Sequence, residues 1–128
     1  HPMPVPTSFP SCNLAVVSGV LSSVPRFRTL PSGDEVCQLE LTARVDGAPP
    51  SSVPISAAAA LVAPLDPDRE LVEGSGLVVI GEVRRRFFRA GGVTQSRTEV
   101  VAAKGVPARR KALATRAVSR TIASLLDG

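Results

Sequence analysis

The 128-residue chain reads as a mainly β domain: a closed barrel of five strands, with a short helix between the third and fourth and an amphipathic helix added at the C-terminus. Three observations predict this. Residues 36–45 alternate apolar with polar side chains. Gly91 and Gly92 separate two β-rich runs, and residues 107–126 change from a period of two to one of 3.6.

The first ten residues, HPMPVPTSFP, hold four prolines, and residues 1–12 are expected to form a flexible arm. Residues 13–24 are dense in β-branched and apolar side chains without a polar stripe, which predicts a strand. Pro25 to Gly33 follows, with Pro-Ser-Gly as a turn signal, since Gly33 supplies positive φ at little cost. In the next strand Cys37, Leu39, Leu41 and Ala43 point one way, and Gln38, Glu40, Thr42 and Arg44 the other. These two strands are expected to pair as an antiparallel hairpin turning near Leu30 to Gly33. Cys12 and Cys37 would then lie at opposite ends, too far apart for a disulfide. Both are expected as reduced, buried thiols.

Residues 46–52 form a loop by composition, and Val53 to Ala63 fits either a third strand or a helix. Asp66 before Pro67 is an N-cap followed by a first-turn proline, predicting a short helix that ends near Gly74. Leu77–Arg89 and Val93–Ala103 then make a hairpin around the two glycines. Period two puts Arg84, Arg86 and Phe88 on one face and Val83, Arg85, Phe87 and Arg89 on the other, so one of Phe87 and Phe88 is expected to be buried. Pro107 suits a first helical turn. Ala114, Val118, Ile122 and Leu125 fall in one stripe, with Arg109, Arg116 and Arg120 almost opposite. The stripe should dock on its own barrel, on a second copy, or on both. The expected division is an arm at 1–12, a barrel at 13–105 and a basic helix at 106–128.

Composition narrows function. Trp and Tyr are absent, Phe numbers four, and the single His is residue 1, which leaves few candidates for general-base or imidazole-ligand chemistry. An enzyme is not expected, nor is a metal or other cofactor. Fifteen Lys and Arg against eleven Asp and Glu give +4, but the charges are segregated. Residues 1–80 hold four basic and eight acidic side chains, net −4. Residues 81–128 hold eleven against three, net +8. Such segregation is the footprint of a polyanion binder. No apolar run reaches the roughly 18 residues of a membrane span. The first ten residues lack the basic start and apolar core of a signal peptide. Met3 reads as a native start, and a cytoplasmic protein is expected.

The order β-β-β-α-β-β is that of an OB-fold, the five-stranded Greek-key barrel that commonly binds oligonucleotides. Over roughly residues 13–103 the chain resembles bacterial single-stranded DNA-binding proteins, the SSB family. The resemblance rests on Asn13-x5-Gly19-x-Leu21, on Pro25-x-x-Arg28-x-x-Pro31-x-Gly33, and on the alternating Val36–Thr42 run. It continues in Glu73-Gly-Ser-Gly-Leu-Val-Val-Ile-Gly-Glu-Val-Arg84 and in Thr98-Glu-Val-Val-Ala102. It implies binding of single strands without sequence preference, by a basic groove for phosphates and rings on which bases stack. It also implies dimers or tetramers formed through barrel strands.

Phe88 aligns with a Trp that the family uses for stacking, and Arg84 and Arg86 align with basic residues. Phe27, between Arg26 and Arg28, is a second ring of the same kind, with packing in the core or loop as its alternative. The candidate contacts are Arg26, Phe27, Arg28, Arg84, Arg86, Phe88, Arg89 and Arg97, with Arg109, Arg116 and Arg120 as possible additions. The chain departs from the family in offering Ala-Pro-Pro-Ser-Ser and Ala57–Ala60 where further aromatics usually stand. It ends in Leu-Leu-Asp-Gly128 in place of an acidic, phenylalanine-tipped tail. A divergent paralogue or a primosomal-type accessory protein of replication, recombination or repair is therefore expected. RNA is an alternative ligand, and an assembly module with little DNA affinity is the alternative function.

Overall fold

The structure, a computed structural model, describes residues 11–65 and 71–127. Its strands are β1 (Ala15–Leu21), β2 (Arg26–Thr29), β3 (Glu35–Ala43), β4 (Ser51–Ala58), β5 (Gly76–Ala90) and β6 (Val93–Pro107). They lie in the order β1-β5-β6-β4-β3-β2, and β1 also pairs with β3 through Val20↔Thr42 and Leu21↔Leu41. This extra pairing closes five strands into a ring, with β2 hung on the edge of β3. The ring is the Greek-key barrel that the element order predicts. Its β4–β6 seam is parallel and short, Ile55↔Val100 and Ser56↔Val101. Pro54, which has no N–H for a ladder, stands directly before it.

Alternation along β3 sends Cys37, Leu39 and Leu41 into the barrel, where they meet Leu21, Ile55, Ala57, Val62, Leu77, Val79 and Val100. Each Leu, Ile or Val side chain buried there contributes about 1.5–3 kcal/mol. Two sequence features that looked like family signatures are structural. A Cβ on Gly19 would run into the Thr42 carbonyl, and one on Gly81 into the Val101 carbonyl. Gly81 stands where the β5–β6 register shifts. Asn13 extends the β1 ladder with its side chain: Nδ2 donates to the Val83 carbonyl at 2.7 Å, and Oδ1 accepts from the Val83 N–H at 2.8 Å.

The first hairpin differs from the expected one. β2 and β3 form it, closed by Leu30 N–H to Asp34 O and Gly33 N–H to Leu30 O, while β1 spends most of its length on β5. Val53 to Ala63 is first strand and then helix: β4 runs to Ala58, α1 covers Ala59–Val62, and a 3-10 turn covers Ala63–Leu65. The helix thus begins before Asp66. The expected capping pair Asp66-Pro67 lies outside the described residues, and residues 71–74 are not helical. Cys12 is exposed and only Cys37 is buried; no disulfide joins them. Cys12 precedes β1 and has no layer over it, which corrects the expectation of two buried thiols.

The C-terminal helix α2 spans Lys111–Asp127. Pro107 does not open it: this residue ends β6 opposite Leu77, and a turn from Pro107 O to Arg110 N–H intervenes. A missing N–H is as tolerable at a strand terminus as in a first helical turn, so proline alone does not separate the two. α2 packs on its own barrel. Ala114, Ala117 and Val118 lie against Val78, Ile80 and Val106 on the outward side of β5 and β6, beside Leu14. The predicted stripe is only half used, because Ile122 and Leu125 remain 49% and 46% exposed.

Candidate nucleic-acid interface

Because Cys37, Leu39 and Leu41 face inward, Val36, Gln38 and Glu40 face outward. The register extends that outward face to Arg28 and Arg26 on β2, paired with Val36 and Gln38. Across β4 it continues to Glu99 and Arg97 on β6, opposite Arg84 and Arg86 on β5. Arg26 and Arg97, far apart in sequence, line one cleft of about 200 Å³ with Ser23, Gln38 and Glu40. Glu40 is occupied in part by the Ser52 hydroxyl, which donates to its Oε1 at 2.6 Å.

Arg84 and Arg86 are differently placed. Arg84 donates from Nε to Glu82 Oε1 at 2.9 Å and is ion-paired to the same carboxylate through Nη2. Arg86 Nη2 lies 2.8 Å from Oε1 of Glu99, a residue 4% exposed. That oxygen receives no aligned hydrogen bond, so the contact is Coulombic. Arg86 also borders a cleft of about 610 Å³ with Leu30, Asp34, Glu35, Val36 and the Ala57–Ala60 run. The Ala57–Ala60 run therefore borders a hollow beside an arginine.

Beyond Val83 the β5–β6 hairpin projects past the barrel, and every residue from Val83 to Thr98 is exposed. The tip is a two-residue turn with φ of 60° at Gly91 and 79° at Gly92, the primed geometry that matches strand twist. Neither Phe87 nor Phe88 is buried; they are 65% and 41% exposed. Strand alternation buries a side chain only where a second layer exists, and the arm has none on either side. Phe88 shares its side with Arg84, Arg86 and Arg97. Arg89 lies on the other side with Arg85 and Phe87, and its Nη2 donates to the Gly92 carbonyl at 3.3 Å. Phe27 is 55% exposed and, opposite Cys37, points away from Arg26 and Arg28. Packing in the core does not account for it.

On α2, Arg116 and Arg120 are exposed, and Arg109 is exposed in the preceding turn. Arg120 lines a cleft of about 470 Å³ with Lys104, Cys12, Asn13 and Thr121. Sequence reasoning missed Lys104 and Gln38. The partner of Gln38 follows from the correct hairpin register, whereas nothing local marks Lys104. Among the described residues no group of three His, Cys, Asp or Glu side chains could hold a metal ion. No helix among them is long and apolar enough to cross a membrane.

No family model matches the chain, and no curated protein matches it. Among solved structures it is similar to the Plasmodium falciparum SSB in complex with ssDNA, at 21% identity and a TM-score of 0.60. The match covers 76% of this chain and 93% of that one. The ring of β1, β3, β4, β6 and β5, with its parallel seam and its helix after β4, is therefore an OB barrel of the SSB type.

Proposed function

We propose that this protein binds single-stranded DNA without sequence preference and without catalysis, using the outward face of β2, β3, β4 and β6 and the projecting hairpin. The observation that carries this reading is the cleft in which Arg26 and Arg97 converge beside Gln38, on the side of the sheet that also bears Phe88 and Arg28. Among the described residues the ion pairs are Arg84–Glu82 and Arg86–Glu99. On this face Arg26, Arg28 and Arg97 are thus cations with no carboxylate ion pair, open to phosphates, while Arg84 and Arg86 share their charge with carboxylates. The SSB whose barrel this one resembles was solved with ssDNA, which supports the same ligand class.

Rings are few on this face, so phosphate contacts carry more of the affinity and binding falls steeply with salt. The test is fluorescence anisotropy with labelled oligo-dT across a salt series, with oligo-U alongside to separate DNA from RNA. Absence of salt-sensitive binding at low ionic strength overturns the proposal. The ligand class fits a role in replication, recombination or repair.

Assembly of copies is a second reading, favoured by exposed apolar side chains: Val16 and Val20 on β1, Ile122 and Leu125 on α2. Sedimentation at several concentrations tests a dimer or tetramer.

A further inference from the structure

We infer that the hairpin arm carries a second nucleic-acid contact surface on the side turned away from the Arg26–Arg97 cleft, built from Arg85, Phe87 and Arg89. This inference rests on the single-strand-binding reading above and extends it to a surface on which Phe88 and Arg97 have no part.

The register sets Arg85 against Thr98, Phe87 against Ser96 and Arg89 against Thr94. Side chains directly opposite in an antiparallel pair share a face. From Val83 to the turn this face therefore bears one valine, two arginines, one ring and three hydroxyls, and no carboxylate. The other face of the same arm carries Glu82 and Glu99 at its base, engaged with Arg84 and Arg86. The Arg85 guanidinium carbon stands 6.0 Å from the centroid of the Phe87 ring, within the reach of a cation–π contact. The ring itself is the most exposed of the three described phenylalanines.

The chemistry of this face selects its occupant. A protein interface is built around a contiguous apolar core, with charge depleted at its centre. Here one ring stands among cations and hydroxyls, and the one other exposed apolar side chain, Val83, lies at the base of the arm. A single strand offers the complement: a base to lie on Phe87, and phosphates within reach of Arg85 and Arg89 and of the donors Ser96 and Thr94. Since strand neighbours point to opposite sides, Phe87 and Phe88 hold two bases on two sides of one arm, and the strand must pass around its edge.

The experiment compares the wild-type chain with Phe87→Ala, Arg85→Ala and Phe88→Ala on oligo-dT of about 8, 16 and 32 nucleotides, a range that spans one OB fold and more. Phe88→Ala weakens binding at every length. Phe87→Ala and Arg85→Ala leave the shortest oligonucleotide unaffected and weaken the longest by about tenfold. If both are indifferent at every length while Phe88→Ala is not, the second surface is overturned and the single-strand reading stands. If the wild type binds none of the three at low salt, the reading itself falls. Sedimentation of each variant completes the test: a change in assembly with DNA binding intact would make this face a protein contact and overturn the inference. Both rings are exposed, so their truncation leaves the fold in place, and melting curves check this.

Discussion

Arg86 and Glu99 form a pair across β5 and β6 in which the acid is buried and the base is half-exposed. Truncating the two sides has unequal effects. Arg86→Ala strands a desolvated carboxylate and lowers stability by about 1–3 kcal/mol. Glu99→Gln removes the competing charge and, under the function proposed above, leaves Arg86 to phosphates alone. The expected outcome is a severalfold gain in oligo-dT affinity, read by anisotropy, with urea midpoints taken on both variants.

Arg26 and Arg97 line one cleft, and under the function proposed above both contact phosphates there. Replacing either with Ala lowers affinity uniformly for all sequences and reduces the slope of log K against log salt by about one. Arg84→Ala, whose charge is shared with Glu82, changes that slope less. A salt titration of the three variants checks the ranking.

Gly81 admits no side chain, because its Cβ position is occupied by the Val101 carbonyl. Gly81→Ala must move β5 away from β6 at the bulge, at a cost of about 1–3 kcal/mol or more. Melting temperature is the readout. Ala at Gly33, where nothing stands near the Cβ position, meets only the strain of positive φ and costs less.

α2 should separate its two apolar regions on mutation. Ala117→Asp buries a charge against Val78 and Val106 and destabilises the domain by several kcal/mol. Ile122→Ser touches an exposed residue and leaves stability within about 0.5 kcal/mol. If sedimentation shows an oligomer that Ile122→Ser dissolves, the free end of the helix is an assembly surface; an unchanged oligomer places the contact elsewhere.

Much of this architecture is legible in the residues because local signals coincide with it. Two glycines mark the long hairpin, alternation marks β3, and the shift to a 3.6 period marks α2. The misreadings occur where local chemistry has two uses. Pro107 fits a strand end as well as a helix start, and four-residue β2 is too short to show a period of its own. Phe87 and Phe88 obey alternation, but whether alternation buries anything depends on a second layer that only the tertiary structure supplies. The same limit applies to the Arg26–Arg97 cleft. Each arginine is visible as a basic residue, while their meeting depends on β6 lying beside β4 and on β2 being hung from β3.

The short seam between β4 and β6 joins the two parts of the candidate surface, with Arg26 and Gln38 on one lip and Arg97 on the other. Two residue pairs are a thin weld, matched in the ring only by the two pairs of the β1–β3 closure, so the barrel should breathe at these two joints before it opens along its longer ladders. A strand laid across both lips would act as a splint. The Val83 backbone is turned toward Asn13, so its cross-strand partner Val100 turns its N–H toward β4; deuteration of that amide should slow when oligo-dT binds, even though Val100 need not touch the strand.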